Sequence, residues 1–594
     1  MHAKYAEAFE AEARVGTMRT LLRTLLLLGN SLSLTNALVA APPPTRAAVS
    51  PLSASSVPPP ERSVVVGAGP AGLATAVMLA KRGWSNIEVF DRLPPPPAVD
   101  DDDVWSDTAR FYLIGIGGRG REALQEIGAW DGPHGVEKYT APVRGRKDWA
   151  PGAGVDGGVE TIRADRPPSN VIQRDRLVSC LLAQAEELGV KVNYETDVTD
   201  IRWEGESAVL SCSPCGEACA VEEADADASR AVEVETPFVI ASDGVRRTVA
   251  EAIEAEDAAD AWRLPWRKFR VTKYEDKSVR VYKTVPFRPP ADWRGDINYS
   301  ARTAAANFDA LPTQSGEYCG VLLIKPDDAI TQGLPDVPAA RAYFDELLPM
   351  FSPMIADEAL QGILDKQPSR LPLFRFAGPR LHRGGSTALL GDAIHSVKPY
   401  FGLGVNAAFE DVAALGAALD EQPSLERALR SYSRKRAAEA RVLVALSRSF
   451  DRSGVAGLLS FILPLILDGV FHGAAPAVFA PNTLAMLQRP DLSFTHIRWR
   501  KRADRAAQLL LLGGAATAAA RLVGGVVGVL ARALARTAWG GAVGGALALR
   551  ALPVAAAAAA LALFVRQRMG SDVADVLSAQ NKETPDGVKT RPGY

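Results

Sequence analysis

A glycine-rich turn near the N-terminus constrains the fold of this chain more than any other feature. The apolar run Ser63–Val66 is followed by glycines at positions 67, 69 and 72, and an apolar helical pattern then extends to Gly83. In such a strand, turn and helix, the first glycine permits the turn, the second lets the backbone approach a pyrophosphate, and the third lets the helix pack on the strand. The helix N-terminus offers free N–H groups to the phosphates. We therefore predict a dinucleotide-binding turn at Gly67, Gly69, Ala71 and Gly72.

An acidic residue follows the next apolar run at the spacing that such turns require. The run Ile87–Phe90 ends in Asp91, which is followed by Arg92. An acid about twenty residues beyond the glycines hydrogen-bonds a ribose hydroxyl. The sequence therefore predicts a dinucleotide site that includes Asp91, without choosing between NAD and FAD.

Two later apolar runs also end in an acid beside a glycine. The run Phe238–Ala241 leads to Asp243-Gly244, and the run Thr387–Leu390 leads to Gly391-Asp392. An acid at the carboxyl end of a strand can accept a hydrogen bond from a sugar hydroxyl, although Asp243-Gly244 alone is equally well a common turn. In the string from Pro399 to Asp411, Gly402 and Gly404 let backbone N–H groups approach a flat ring or a phosphate before a helix begins near Asn406.

Composition excludes several classes of function. The chain has 594 residues, of which 23% are charged, and a formal net charge of -2. That charge argues against a nucleic-acid partner, and five cysteines are too few for a disulfide framework. Cys212, Cys215 and Cys219 form either a metal site or a surface hairpin, and the lack of a fourth ligand nearby favours the hairpin. We predict no metal site.

The N-terminal residues have the composition of a targeting leader. No Asp or Glu occurs from Met18 to Pro60, and the leucine-rich run Leu21–Leu28 is too short to span a bilayer. We predict a cleavable leader over residues 1–60 that directs the chain to an organelle, either a plastid or a mitochondrion. A disordered proline-rich segment explains the same composition.

The C-terminal residues contain two long apolar stretches. Gln508–Leu530 and Ala538–Val565 are long enough to cross a bilayer, although Arg521 and Arg550 within them each cost about 2.5–3.5 kcal/mol at mid-membrane. A basic cluster precedes them and can sit on anionic headgroups; it consists of Arg498, Arg500, Lys501, Arg502 and Arg505. We predict membrane association at residues 507–566, followed by a polar tail over 567–594. A helical hairpin packed on the soluble body is the alternative.

The order of these motifs resembles that of the single-component FAD-dependent aromatic hydroxylases, or group A flavoprotein monooxygenases. The string from Pro399 to Asp411 is most similar to the kynurenine 3-monooxygenases, as are Gly118–Leu124, Arg144–Arg146 and Gln173–Leu177. The resemblance implies an α/β fold in which a Rossmann-like FAD-binding domain is interleaved with a β-sheet substrate domain and followed by C-terminal helices. The FAD-binding body would span residues 61–451, with the substrate part at roughly 130–170 and 260–380, and a helical region would follow at 452–506.

The resemblance also implies cofactors and site residues. FAD would be bound, with NADPH or NADH as co-substrate. Asp243 would line the groove where the nicotinamide nucleotide docks, Arg146 would pair with a substrate carboxylate, and Pro399, Tyr400 and Phe401 would wall the reaction site. The FAD contacts would be Gly67, Gly69, Ala71, Gly72, Asp91, Arg92, Arg174, Gly391, Asp392, Gly402, Gly404, Val405 and Asn406.

The implied reaction is the hydroxylation of an aromatic ring by a flavin hydroperoxide, which forms when O2 adds to the flavin reduced by NADPH. His395 is either a catalytic base or a packed histidine. Two family features that assist Arg146 are missing, because no Tyr occurs in Thr161–Pro168 and no Asn or Tyr occurs in Ser449–Asp451. These departures leave the substrate open. The leader and the C-terminal apolar stretches make a lipid-like substrate, such as a carotenoid or a quinone, an alternative, and an NAD-dependent dehydrogenase and a membrane-anchored protein without catalytic activity are two others. The sequence does not indicate the oligomeric state.

Overall fold

The computed structural model describes residues 55–108, 110–162, 168–215, 231–276, 279–451 and 457–537. Most of the predicted leader, Cys219, the second apolar stretch Ala538–Val565 and the polar tail lie outside these residues. The described residues form two compact units, one of residues 55–451 and 487–495 and the other of residues 457–486 and 496–537.

The strands of the described residues are numbered in chain order. They are β1 (Ser63–Val66), β2 (Ile87–Phe90), β3 (Leu113–Ile116), β4 (Ala141–Val143), β5 (Gly145–Trp149), β6 (Val159–Ile162), β7 (Ser169–Gln173), β8 (Lys191–Asn193), β9 (Thr196–Glu204), β10 (Ser207–Pro214), β11 (Val232–Thr236), β12 (Phe238–Ala241), β13 (Arg270–Lys273), β14 (Val281–Phe287), β15 (Ile297–Arg302), β16 (Asn307–Pro312), β17 (Tyr318–Ile324), β18 (Ser369–Arg370), β19 (Arg375–Gly378), β20 (His382–Arg383), β21 (Thr387–Leu389) and β22 (His395–Ser396).

The α-helices are numbered in the same way. They are α1 (Pro70–Lys81), α2 (Asp102–Ser106), α3 (Gly118–Glu126), α4 (Arg174–Glu187), α5 (Thr248–Ala259), α6 (Ala329–Gln332), α7 (Val337–Leu347), α8 (Asp357–Asp365), α9 (Leu403–Glu421), α10 (Leu425–Ser449), α11 (Leu463–Ala474), α12 (Thr483–Leu487) and α13 (Phe494–Thr537).

A six-stranded sheet, in the order β20-β21-β12-β1-β2-β8, brings the predicted motifs together. Strand β1 pairs in parallel with β2 and β12, and β12 pairs in parallel with β21. All four residues of β1 and of β12 are buried, as expected for central strands covered on both faces. Because parallel strands end at the same edge of a sheet, the residues that follow them converge there. These residues are Gly67, Asp91, Asp243 and Gly391.

A seven-stranded mixed sheet, in the order β18-β14-β17-β16-β15-β5-β6, forms a second core. Alternate residues of its strands point to one face, where aromatic side chains such as Tyr299, Phe308 and Tyr318 are buried. Helices α7 and α8 pack against that face through Phe344 and Leu360. The other face contacts the small sheet β3-β7-β4, since Cys319 packs with Leu113 and Val171. The predicted α/β fold, with a Rossmann-like sheet, a second sheet and C-terminal helices, is confirmed.

The three-stranded sheet β11-β10-β9 contains Cys212, and Cys215 directly follows its strand β10. Cys212 is buried in β10, and the Cys215 thiol donates a hydrogen bond to the backbone carbonyl of Arg92 at 3.4 Å. Within the described part of the chain, no group of three His, Cys, Asp or Glu side chains could hold a metal ion. Cys212 and Cys215 therefore belong to the packing of this hairpin.

The ordered body begins before residue 61, where the sequence predicts the leader to end. Val57 is buried, and the backbone N–H groups of Ser56 and Val57 donate to the carbonyl of Leu419 at the end of α9. Residues 55–57 are therefore part of the folded unit rather than of a disordered leader.

One helix of the described residues, over Phe494–Val526, is long and apolar enough to cross a membrane by length and composition. Leu510 and Leu522 on it are exposed. Part of the basic cluster at its start is already paired: Lys501 lies 3.2 Å from Asp468, and Arg500 lies 3.0 Å from Asp504. Both acids are buried, so these cations are held by the protein and are less available to lipid headgroups than the sequence alone predicts.

Candidate active site

The three glycines of the first motif have different surroundings. Gly67 has a φ of +98°, and a Cβ there would lie 2.5 Å from the carbonyl oxygen of Ser242. A Cβ at Gly72 would overlap the carbonyl oxygen of Gly67. At Gly69, which precedes α1, a Cβ would meet nothing within 4 Å. Gly67 and Gly72 are thus required by the fold, whereas the open space at Gly69 fits an incoming pyrophosphate.

Asp91, which the sequence predicts to bind a ribose hydroxyl, also accepts hydrogen bonds from the backbone of the glycine turn and of its own loop. One carboxylate oxygen accepts a hydrogen bond from the N–H of Ala68 at 2.6 Å, and the other accepts from the N–H of Leu93 at 2.8 Å. Each carboxylate oxygen has a further lone pair, so a ribose hydroxyl can still donate to it. The next residue, Arg92, is partly exposed at the same edge.

Arg174 lies at the start of α4, where its backbone N–H donates to the carbonyl of Tyr112 at 3.1 Å and its guanidinium pairs with Asp175 at 2.6 Å. Burial raises the pKa of Asp392, and the charges of His395, Arg247 and Arg174 partly oppose this rise. Desolvation of its phenol also raises the pKa of Tyr112 to about 12, again opposed by Arg174, although the residue as a whole is 40% exposed. The charge of Arg174 therefore acts on both Asp392 and Tyr112. No sequence motif indicates Tyr112.

Asp243 begins the connection from β12 to α5. Its Oδ2 accepts from the N–H of Val249 at 3.3 Å, and its Oδ1 is buried without a hydrogen-bond partner among the described residues. Burial raises its pKa to about 6. The fully buried Arg247 donates to the carbonyl of Asp392 and to Ser396 Oγ, and thereby ties this connection to the Gly391-Asp392 turn. The sequence motif names Asp243 but does not reveal the role of Arg247.

We expect Asp243→Asn to stabilise the FAD-free enzyme at neutral pH. The folded pKa of about 6 lies above the unfolded value of about 3.9, so the carboxyl group contributes stability below pH 4 that is lost as the pH rises through 6. The variant should therefore exceed the wild type by about 1–2 kcal/mol in the free energy of unfolding at pH 7.5, and the two should converge near pH 4. Urea unfolding at both pH values measures this. Asp336→Asn, at an exposed cap of α7, is the control, and a difference that does not change with pH would contradict the prediction.

The start of α9 is joined to the start of α3 by Asn406. Its Oδ1 accepts from the N–H of Gly117 at 2.9 Å, and its Nδ2 donates to the carbonyls of Gly115, at 2.9 Å, and Gly402. Gly402 caps α9 with a φ of +62°. The amide of Asn406 is therefore used by the backbone, while the partly exposed Gly404 and Val405 in the first turn of α9 are better placed to border a flat ring.

The buried Lys398 precedes the predicted wall Pro399–Phe401 and binds two acids beside it. Lys398 Nζ lies 2.8 Å from Asp276 Oδ1 and 3.0 Å from Asp451 Oδ2. Tyr400 Oη donates to Asp451 Oδ1 at 2.6 Å, and burial together with this bond raises the Tyr400 pKa. Phe401 packs edge-on against Phe450 at 4.7 Å between ring centroids. The wall is thus fixed to the end of α10.

A chain of buried charges runs from the Gly391 turn through α9 and α10. Asp411 accepts from the N–H of Gly391 at 3.1 Å, lies 2.8 Å from His395 Nε2, and accepts from Arg436 Nε at 2.7 Å. Arg436 also pairs with Glu410, which pairs with Arg119 at 3.0 Å. His395 is fully buried in this chain, so it is a packed residue rather than a free base.

Arg146 lies on β5, where successive side chains point to opposite faces of the sheet. Trp149, three positions later, belongs to the aromatic core, so Arg146 points to the other face. Its guanidinium pairs with Asp148, and the side chain is 44% exposed. The residue opposite it on β15 is Asn298, whose Oδ1 is buried without a hydrogen-bond partner among the described residues. The structure thus places Arg146 beside a polar side chain that no motif indicates.

Comparison with known proteins extends this picture. A family model described as the FAD binding domain matches residues 122–447, which is more than half of the chain. The chain is 27% identical over 483 residues to kynurenine 3-monooxygenase of Salinispora arenicola, covering 78% of this chain and 97% of that protein. It is 26% identical over 437 residues to kynurenine 3-monooxygenase of Xanthomonas campestris pv. campestris, covering 71% and 86%.

The fold also matches a solved enzyme. A single-residue variant of 2-methyl-3-hydroxypyridine-5-carboxylic acid oxygenase superposes with a TM-score of 0.50 at 18% sequence identity, covering 68% of this chain and 96% of that chain. The chain therefore belongs to the family of FAD-binding proteins that the family model describes. It is an FAD-dependent monooxygenase, as the order of its motifs predicts. The open space at Gly69 fits the pyrophosphate of FAD at the edge of the six-stranded sheet, and the unpartnered Oδ1 of Asp243 at the same edge can accept a further hydrogen bond.

Proposed function

We propose that this enzyme hydroxylates an aromatic substrate that carries a carboxylate, with NADPH or NADH as reductant and O2 as oxidant. The observation that carries the proposal is the pairing of Arg146 with Asn298 on the face of the seven-stranded sheet opposite its aromatic core. A guanidinium is suited to bind a carboxylate through two hydrogen bonds, and the free Asn298 Oδ1 suits an amino or hydroxyl donor. The kynurenine 3-monooxygenase relatives support an amino-acid-like aromatic substrate.

Bound FAD supplies the redox chemistry, by taking electrons from a nicotinamide and activating O2 for transfer to the ring. Gly67, Gly69, Ala71 and Gly72 would contact its pyrophosphate, and Asp91, Arg174 and Asp392 its sugar and phosphate groups. Gly402, Gly404 and Val405 would border its ring. The chain's own contribution is to position the substrate and exclude water, which the fixed wall Pro399–Phe401 does without an acid–base residue.

Arg146→Met tests the carboxylate contact. A charge-assisted hydrogen bond contributes about 1.5–3 kcal/mol, so KM for a carboxylated aromatic should rise roughly 10–100-fold with a smaller change in kcat. The assay is NADPH oxidation by the full-length enzyme with kynurenine and related aromatic acids, with the hydroxylated product identified by mass spectrometry. Arg144→Met removes a nearby exposed arginine and is the control. If kynurenine and the other acids neither stimulate oxidation nor give product, the carboxylate proposal is wrong.

Tyr400→Phe tests the wall. The variant loses only the hydrogen bond to Asp451, so it should fold and bind FAD, but a looser wall should admit water and lower the ratio of hydroxylated product to NADPH consumed by several-fold. Tyr343→Phe removes the same type of bond, from a phenol to Asp328 at 2.8 Å, away from the wall, and should leave the ratio unchanged. Equal ratios in all three proteins would contradict the role of the wall.

A second candidate is the hydroxylation of an uncharged, lipid-like substrate. The observation that favours it is the ion pair between Arg146 and Asp148, which already satisfies the arginine charge. On this alternative Arg146→Met leaves KM unchanged, and a quinone or carotenoid stimulates NADPH oxidation. The same two assays therefore separate the candidates.

A further inference from the structure

The loop between α5 and β13, residues 260–267, exposes two tryptophans. Trp262 is 94% exposed and Trp266 is 72% exposed, and Leu264 between them is 44% exposed. Large apolar side chains that protrude together into solvent mark interaction surfaces. We call residues 260–267 the tryptophan loop.

The tryptophan loop is held rigidly by acids behind it. Asp260 Oδ1 accepts from the N–H groups of Trp262 at 3.0 Å and Arg263 at 3.2 Å. The buried Asp257 pairs with Arg263 at 2.8 Å and with Arg380 at 2.6 Å. The carbonyl of Leu264 accepts from the N–H of Arg267 at 2.8 Å. These contacts fix the backbone of the loop in a folded turn, and the two tryptophans protrude from that turn.

The chain from the loop into β13 is basic, although α5 before the loop is acidic. From Ala261 to Tyr274 the sequence contains no acid and five basic residues. Arg263 is paired with the acids behind the loop, and Lys273 is paired with Glu251. Arg267 and Arg270 are exposed, and neither has an ion-pair partner among the residues that the structure describes. The tip thus combines tryptophan side chains with cations that face solvent.

We propose that the tryptophan loop docks on an anionic lipid bilayer, with Trp262 and Trp266 in the headgroup region. Tryptophan is enriched at membrane interfaces, and arginines nearby are attracted by anionic lipids. A second copy of the same basic tip would repel the first, which disfavours self-association through this face. The docking is independent of the catalytic proposal and adds a contact separate from the candidate span Phe494–Val526.

The test uses the full-length protein with Ala261→Cys, an exposed loop position that keeps both tryptophans, labelled with an environment-sensitive nitrobenzoxadiazole dye. The described cysteines are buried, and labelled wild type supplies the blank for Cys219. In phosphatidylcholine vesicles with roughly one third phosphatidylglycerol, the dye emission should shift to shorter wavelength and be quenched by headgroup nitroxides. Val155→Cys, also exposed, is the matched position and should show neither change.

Two variants on the labelled background sharpen the result. Trp262→Ser with Trp266→Ser should abolish the shift, and Arg267→Gln with Arg270→Gln should reduce it to the value seen with phosphatidylcholine alone. If the protein pellets with vesicles while the Ala261→Cys label stays in a water-like environment, another segment binds the membrane and the proposal fails. It also fails if the shift is equal without anionic lipid, or if it appears without vesicles and grows with protein concentration.

Discussion

Replacing Gly69 by alanine should remove tight FAD binding and leave the FAD-free fold intact, whereas Gly72→Ala should damage the fold itself. In the FAD-free chain a Cβ at Gly69 meets nothing within 4 Å, but it occupies the space that a pyrophosphate needs. We expect the FAD affinity to fall on the order of 100-fold or more, about 3 kcal/mol. A Cβ at Gly72 overlaps the carbonyl oxygen of Gly67 whether or not FAD is bound, and we expect a loss of about 3 kcal/mol in stability.

Two measurements on the deflavinated proteins separate these effects. Titration with FAD, followed by flavin fluorescence, gives the affinity, and urea unfolding without FAD gives the stability. Gly69→Ala should weaken FAD binding without changing the free energy of unfolding, and Gly72→Ala should lower the free energy of unfolding. If Gly69→Ala binds FAD as the wild type does, the pyrophosphate does not approach this glycine, and the cofactor site derived from the motif is wrong.

Asp411→Ala should be the most destabilising single substitution in the α9–α10 region. The side chain is fully buried, and the charges of Arg436 and His395 hold its pKa below the ordinary value although burial alone would raise it. Removing it leaves the buried Arg436 with the longer 3.4 Å contact to Glu410 and a hydrogen bond to the carbonyl of Ala407 at 3.2 Å, so its charge is poorly compensated. Breaking a buried pair from one side costs about 3–5 kcal/mol, a large share of the roughly 5–15 kcal/mol that keeps a domain folded.

A double-mutant cycle with Arg436→Met checks the cause of this loss. Because each single variant leaves one charge of the buried pair uncompensated, the double variant should lose less stability than the two single losses added together. Glu426→Ala removes the exposed Glu426–Arg430 pair and should cost less than about 1 kcal/mol. Additive losses in the cycle would show that Asp411 acts through packing or backbone contacts, not through Arg436.

The sequence predicts the cofactor half of the site because its signals are local. The glycine spacing, the runs ending in Asp91, Asp243 and Gly391, and the apolar strands are each read within about twenty residues. Parallel pairing of β1, β2, β12 and β21 then brings the ends of these runs to one edge. A local contact also explains the need for glycine at position 72, because a Cβ there would overlap the carbonyl oxygen of Gly67 in the same turn. The need for glycine at position 67 is not local, because a Cβ there would meet the backbone of Ser242 at the end of β12.

The remaining contacts join residues that are far apart in the chain, and no local pattern reveals them. Lys398 meets Asp276 across 122 positions, and Arg146 lies opposite Asn298 only because of the register between β5 and β15. The pairing of Lys501 with Asp468 likewise depends on how two helices meet. The substrate site that we propose depends on such contacts, so its prediction from motifs stops at Arg146.

The buried charge chain also determines where a shortened form of the enzyme can end. Arg119, at the end of that chain, donates to the backbone carbonyls of Leu487 and Leu492 and stacks over the Phe494 ring at 4.5 Å. Glu439 of α10 accepts from the N–H groups of Phe494, at 2.5 Å, and Thr495. A shortened form should therefore retain residues up to Thr495, since a stop codon placed earlier would remove contacts that residues 487–495 make with Arg119 of α3 and Glu439 of α10.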